Sequence, residues 1–350
     1  MTGDAGADSA AATVAVLGAG SWGTTFAKIL ADAADASGVE REIRLWGRRQ
    51  EVVDQINLKH RNEQYLKDIA LPPSITASTE VAEVLAGAQL VVLAVPAQTL
   101  RPQLREWKHL VEPGSLVVSL MKGLELHSDA RMSEVISEEL GVPASRIAVV
   151  SGPNLAMEIA REEPTASVVA CSDPVAAGWI ARSCTAPYFR PYTTGDVVGV
   201  EIGGIVKNII ALAVGICEGK RMGDNTKASV ITRGLAETSR LTLALGGQAQ
   251  TMAGLAGLGD LVATCSSPLS RNHTAGRLLG TGLTLDQVTA QMTQTAEGIK
   301  SAQAVHELAG KLGVEMPITA AVVAVLAGKL SVDQLGPLLL SRDLKAEGDY

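Results

Sequence analysis

Lys207 stands where a lysine is costly. It lies in the run Glu201-Ile202-Gly203-Gly204-Ile205-Val206-Lys207-Asn208-Ile209-Ile210-Ala211-Leu212, which is apolar nearly all round and therefore reads as a buried helix. An ammonium there needs a partner or a task. Desolvation lowers a lysine pKa, which fits the group to exchange a proton near neutral pH; the alternative is a structural lysine whose head snorkels to water. Asp260 follows Gly254-Leu255-Ala256-Gly257-Leu258-Gly259. Those glycines allow close backbone approach, so Asp260 can partner Lys207 or can cap a helix. Ser270-Arg271-Asn272 sets a hydroxyl, a guanidinium and an amide side by side, a combination suited to a phosphate. His273 adjoins this set and reads as a surface residue. Lys122, and the loop Ser151-Gly152-Pro153-Asn154, each follow a predicted strand. Both therefore fall at the carboxyl edge of a sheet, where open α/β folds bind ligands.

A second constellation lies near the N-terminus. Gly18-Ala19-Gly20-Ser21-Trp22-Gly23 follows the apolar run Val14-Ala15-Val16-Leu17 and precedes a helical stretch over residues 24–34. In that context Gly18 permits the tight turn, Gly20 lets backbone approach a pyrophosphate, and Gly23 lets the helix pack on the strand. The helix N-terminus then offers free N–H groups and a positive dipole. The next strand ends in Trp46-Gly47-Arg48-Arg49, not in the acidic residue that would bond a ribose 2′-hydroxyl. Two guanidiniums suit a 2′-phosphate, so the reading is NADPH or NADH, with NADPH favoured. Glu297, in Ala296-Glu297-Gly298, can accept from a ribose or a nicotinamide amide, or can be a helix-end carboxylate.

These residues need two kinds of scaffold. In the first half, short apolar runs at 13–18, 42–47, 90–95, 115–120 and 146–150 predict parallel strands buried on both faces. Residues 165–171 and 188–192 add two more candidates. Intervening helices make right-handed crossovers, giving an α/β, Rossmann-type doubly wound domain. Beyond Asp196 strand signals are scarce, and Ala- and Leu-rich stretches at 204–216, 226–244 and 301–312 predict an all-α C-terminal domain. The expected division is a disordered tail at 1–11, a dinucleotide-binding domain at 12–195 and a helical substrate domain at 196–350.

Composition excludes several classes. A net charge of −7 argues against nucleic acid as the main partner, since a phosphate-binding surface carries a basic excess. Cys171, Cys184, Cys217 and Cys265 form no CxxC pair and have no zinc-ligand spacing; they read as free thiols of a reducing cytoplasm, and no metal is expected. The first 11 residues lack the basic and apolar regions of a signal peptide. No apolar run reaches the roughly 20 residues that span a bilayer, so no transmembrane segment is expected.

The motifs in order resemble the bacterial type of NAD(P)-dependent sn-glycerol-3-phosphate dehydrogenase. They are GAGSWGT at 18–24, Lys122-Gly123, Ser151-Gly152-Pro153, GVEIGGIVKN ending at Asn208, GDN at 223–225, ITRGLAE at 231–237, GLAGLGDL ending at Leu261, and Ser270-Arg271-Asn272. The resemblance runs from about residue 13 to about residue 326. It implies a Rossmann domain joined to a helical domain with the active site between them. The implied oxidoreductase activity is reversible reduction of dihydroxyacetone phosphate to sn-glycerol 3-phosphate for glycerophospholipid synthesis, in a cytoplasmic homodimer. By motif position it implies that Lys207 is the general acid/base. It makes Ser21, Trp22, Arg48, Arg49, Lys122, Ala156, Arg271 and Glu297 cofactor contacts. Lys122, Gly152, Lys207, Asp260, Ser270, Arg271 and Asn272 become substrate contacts, joined by Asn154, which stands where a small hydroxyl residue is common. Two rivals remain: a dehydrogenase of similar architecture acting on a hydroxy acid, and a non-catalytic NADPH sensor that binds cofactor without turnover.

Overall fold

The apolar runs of the first half pair as strands that are covered on both faces. In a computed structural model, which describes residues 12–292 and 296–335, they form one eight-stranded sheet. Its strands are β1 (Ala12–Leu17), β2 (Arg41–Trp46), β3 (Ile75–Ser78), β4 (Leu90–Leu93), β5 (Leu116–Ser119), β6 (Ile147–Ser151), β7 (Thr165–Cys171) and β8 (Phe189–Thr194). The order is β3-β2-β1-β4-β5-β6-β7-β8. The pairs β1–β2, β2–β3, β1–β4, β4–β5, β5–β6 and β7–β8 are parallel. The order reverses beside β1, and the glycine loop leaves β1 at that switch point. β3 escaped the sequence reading because it is an edge strand with one strongly apolar, buried residue, Ile75. The tail expected at 1–11 lies outside the described residues.

The chain divides into two compact units. The first holds the described residues up to Met121, with Met132–Val150 and Ala156–Gly195. Val14, Val16, Phe26, Ile29, Leu45, Val92, Val118 and Val150 belong to its core. The second holds Lys122–Arg131, Ser151–Leu155 and the described residues from Asp196 onward. So the two loops that follow β5 and β6 group with the helices and carry Lys122 and Gly152 into that unit.

The second unit is built round one helix, Val197–Gly219. Asp196 caps it, accepting from Gly199 N at 2.9 Å, Gln248 N at 3.0 Å and Thr251 Oγ1 at 2.5 Å. Helices Asp224–Ala244, Asp260–Ser266, Arg271–Gly280, Glu297–Lys311 and Pro317–Leu326 surround it. The expectation that no apolar segment is long enough to span a membrane needs correction: this helix has 23 residues and meets that test by length and composition. The sequence hides it because Glu201 and Lys207 interrupt the apolar run, whereas in the fold both are paired and the helix continues through them. Of its apolar stretch 89% is buried, as a core helix should be.

Candidate active site

Lys207 is buried on the central helix, and its ammonium has two hydrogen-bond partners. It donates to Asp260 Oδ1 at 2.5 Å and to Thr264 Oγ1 at 2.7 Å. Thr264 in turn donates to Asp260 Oδ1 at 3.1 Å. The other oxygen of the same carboxylate, Oδ2, accepts from Lys122 Nζ at 2.6 Å, and Lys122 also donates to Gly152 O at 3.2 Å. Asp260 is therefore shared by two lysines and is not spent as a cap. What brings it there is local: the turn Leu255–Gly259 is π-helical, and a side chain at Gly203 of the central helix would sit 2.5 Å from Ala256 O. The two backbones approach as closely as they do only because position 203 has no Cβ.

Two ammoniums on one carboxylate leave a net charge of +1 in a nearly dry site. Burial pushes Lys207 down to about 8; the Lys122 charge also lowers it, and Asp260 opposes both. A lysine so poised exchanges its proton near neutral pH. Gly152 has φ +143°, a conformation side chains rarely adopt, and this turn aims its carbonyl at Lys122.

A second cluster adjoins the first through Asn208. Asn272 Nδ2 donates to Asn208 Oδ1 at 2.9 Å, and Gly298 N donates to Asn272 Oδ1 at 2.9 Å. The Asn272 amide thus ties the helix beginning at Glu297 to the helix beginning at Arg271 and to the central helix. Ser270 caps the Arg271–Gly280 helix, its Oγ accepting from His273 N at 3.2 Å; the hydroxyl hydrogen is left to donate elsewhere. Arg271 is exposed at the helix N-terminus, where the dipole favours anions. Glu297 is half-buried, and burial raises its pKa against the opposing charges of Arg271, Lys122, Lys207 and Lys300. His273, expected at the surface, is buried, its Nε2 3.0 Å from Glu218 Oε2. The tight packing of its helix on the central helix encloses it.

In the first unit, the glycine loop has the shape its sequence predicts. Gly18 has φ +129°, and a side chain there would strike Ala94 O at 2.5 Å; one at Gly23 would strike Gly18 O at 2.0 Å, whereas Gly20 faces open space. The helix Ser21–Ser37 begins at Gly20 with no side-chain cap, so its first N–H groups remain available to a pyrophosphate. The buried Trp22 Nε1 also has no partner. These features fit a dinucleotide. Arg48 and Arg49 are exposed at the end of β2. Arg49 lies over the Tyr65 ring and donates to its hydroxyl at 3.3 Å. Ala156 opens the short helix Ala156–Ala160, and its carbonyl accepts from Thr25 Oγ1 at 3.2 Å. Asn154 bonds through its backbone N to Gly152 O at 2.7 Å.

Comparison with known proteins gives the family. The profile described as the N-terminus of NAD-dependent glycerol-3-phosphate dehydrogenase matches residues 13–177, and that of the C-terminus matches residues 196–336. The chain belongs to the NAD-dependent glycerol-3-phosphate dehydrogenase family. Relatives named glycerol-3-phosphate dehydrogenase [NAD(P)+] from Thermobifida fusca and Streptomyces griseus are 58% and 56% identical over 334 residues. Each alignment covers 95% of this chain, and 98% and 97% of the relative, respectively. The crystal structure of glycerol-3-phosphate dehydrogenase from Coxiella burnetii superimposes with a TM-score of 0.88 at 36% identity, covering 95% of this chain and 99% of that one.

Four residues of this family member escaped the sequence reading. Thr264 stands four residues after Asp260 on the same helix, a spacing that puts both on one face and could have revealed it. Asn208 was visible only as the neighbour of Lys207. Tyr65 joins the glycine loop to Arg49, because Ser21 Oγ donates to its carbonyl at 3.4 Å. Asn62 is fully buried, and its amide donates to Ala19 O at 3.1 Å and Thr24 Oγ1 at 2.9 Å. A trans peptide points its N–H opposite its C=O, so this bond turns the Gly20 N–H away from Asn62. No local pattern announces either residue.

Proposed function

We propose that this enzyme catalyses the reversible, NAD(P)H-dependent reduction of dihydroxyacetone phosphate to sn-glycerol 3-phosphate, feeding glycerophospholipid synthesis. The observation that carries the reading is the buried Lys207–Asp260–Lys122 cluster, with its net positive charge and a lysine held at about 8. The dinucleotide, when bound, supplies the hydride. Gly18, Gly20 and Gly23 hold its pyrophosphate with Ser21 and Trp22, and Ala156, Arg271 and Glu297 are its further contacts. Lys207, as the ammonium, donates a proton to the ketone oxygen as negative charge develops there; in the oxidative direction the neutral amine removes the hydroxyl proton. Asp260 and Thr264 aim the Lys207 nitrogen. Lys122 adds positive charge beside the forming alkoxide and holds down the Lys207 pKa. Ser270, Arg271 and Asn272 anchor the substrate phosphate, with Gly152 and Asn154 beside it, so that remote binding energy positions the carbonyl. Because its amide already bonds Asn208 and Gly298, Asn272 has only one N–H left for that anchor. Residues 12–195 serve the cofactor and 196–350 the substrate, joined by the two loops that carry Lys122 and Gly152.

The finer reading is that NADPH is preferred, through Arg48 and Arg49, in a cytoplasmic homodimer. The exposed guanidiniums support the preference, and the family resemblance supports the dimer. Lys207→Ala should lose kcat by at least about a hundredfold while titration with NADPH still reports binding. Near-normal turnover would refute the assignment. In Arg48→Ala the ratio of kcat/KM for NADPH over NADH should fall, and an unchanged ratio would refute the 2′-phosphate role. Light scattering at twice the chain mass checks the dimer.

A further inference from the structure

Lys122 begins a hairpin whose far end is pinned by charge. Leu124 and Arg131 form an antiparallel bridge, and Glu125 N donates to Ala130 O at 2.9 Å. Two non-glycine residues at its tip, His127 (φ +74°) and Asp129 (φ +57°), take left-handed backbone conformations. Such conformations persist where the surroundings over-determine them. Here Arg131 Nη1 donates to the buried carboxylate of Glu201 at 2.6 Å, and the buried Asp129 accepts from Lys311 at 2.5 Å. Glu201 and Lys311 lie on the Val197–Gly219 and Glu297–Lys311 helices.

The central helix lines these contacts up. Glu201, Gly204 and Asn208 fall on one stripe of it at i, i+3 and i+7, with Lys207 beside them. Glu201 takes Arg131. Gly204 seats the Lys122 stem, since a Cβ there would lie 3.5 Å from Lys122 Cγ and Cδ. Lys207 shares Asp260 with Lys122. The Lys122 ammonium is thus held against the like charge of Lys207 by one carboxylate and the Gly152 carbonyl, on a stem with four rotatable bonds. Repulsion favours its withdrawal to water, and something must oppose that.

We propose that the Arg131–Glu201 and Asp129–Lys311 ion pairs are positioning pairs for the reaction: they clamp the hairpin to the helices so that Lys122 stays on Asp260 beside Lys207. Arg131 and Glu201 touch no reacting atom in this account; they act through Lys122. The inference rests on the proposed role of Lys207, so its test reads Lys207 directly. The charged or titratable groups facing Lys207 are Asp260 and Cys265 from their helix, Lys122 from the hairpin and Glu297 from the Glu297–Lys311 helix. Of these, Lys122 lies on the clamped hairpin itself, and Glu297 opens the helix whose last residue, Lys311, holds Asp129.

The experiment is an NMR titration of lysine labelled with ¹³C at Cε, in the full-length enzyme, comparing wild type with Glu201→Gln, Arg131→Lys and Lys311→Ala. Freed of its cationic neighbour, Lys207 in Glu201→Gln should titrate upward by roughly one pH unit. Arg131→Lys, which keeps the charge, should stay nearer wild type, and Lys311→Ala should move a smaller distance in the same direction. A folded Glu201→Gln whose Lys207 titrates as in wild type overturns the proposal, since a merely structural pair would lower thermal stability without moving that titration. If Glu201→Gln does not fold, Lys311→Ala, which alters an exposed side chain, decides: an upward shift supports the clamp and none overturns it. Turnover of dihydroxyacetone phosphate by the wild type is measured alongside. Its absence would defeat the proposed function while leaving the NMR result to judge the clamp.

Discussion

Replacing Lys122 by methionine tests the electrostatics of the site most directly. Methionine keeps much of the apolar stem and removes the charge. Both ammoniums bond the same carboxylate, at 2.6 and 2.5 Å, so they are close neighbours; two like charges at a separation of about 5 Å cost about 3 kcal/mol at an effective dielectric of about 20. That energy corresponds to about two pH units, and water entering the vacated space screens part of it. Lys207, now at about 8, should move up by about one to two pH units. The sign follows from the proposed roles. Oxidation of glycerol 3-phosphate needs the neutral amine, so the acid limb of its kcat/KM profile moves to higher pH. Reduction of dihydroxyacetone phosphate needs the ammonium, so its alkaline limb moves upward as well. Initial rates in both directions from about pH 6.5 to about pH 10.5 read both limbs, a window spanning the free lysine value of about 10.4. A lower maximal rate with unmoved limbs, or limbs that move down, would show that Lys122 does not set the Lys207 proton affinity. The clamp variants should shift Lys207 by less than Lys122→Met, because they displace the charge without deleting it.

Two further outcomes follow from buried polar groups. Glu237 accepts from Ile318 N, Thr319 N and Thr319 Oγ1 at the start of the Pro317–Leu326 helix, and burial raises its pKa from 4.5 to about 7. A raised carboxyl contributes stability that is full below its unfolded value and is lost as pH rises through about 7. Glu237→Gln should therefore gain on wild type between pH 5 and pH 8, by at most about 3 kcal/mol or several degrees in Tm. Calorimetry showing a Tm difference independent of pH would contradict this. Asn62→Ala removes two hydrogen bonds that orient the glycine loop, each worth about 1 kcal/mol. Dinucleotide Kd should rise by roughly tenfold or more with KM for dihydroxyacetone phosphate unchanged, and a fluorescence titration matching wild type would refute the orienting role.

Much of this protein is legible without coordinates because its signals are local. The Gly18–Gly23 spacing, the strand before it and the helix after it are written in consecutive residues, as is the apolar run that makes Lys207 conspicuous. Strands covered on both faces announce themselves by composition; β3, half exposed at the edge, does not. Asp260 was legible as a candidate because its glycines mark a close approach, yet whether it would cap a helix or meet Lys207 was open.

The sequence by itself determined the two scaffolds, the dinucleotide loop and a lysine too buried to be idle. Only the tertiary structure decided that Asp260 is shared between Lys207 and Lys122, that Thr264 is a second acceptor for Lys207, and that the Asn272 amide bonds Asn208 and Gly298. It also decided that Arg131 and Glu201, 70 residues apart, bond one another, the pair proposed to hold Lys122 in reach. The reason is physical. Local conformation follows from a residue and its near neighbours, whereas a hydrogen bond between distant residues exists only once helix register and backbone approach are set. That approach depends here on Gly203 and Gly204, where a single Cβ would crowd Ala256 O at 2.5 Å or Ser151 Oγ at 2.7 Å.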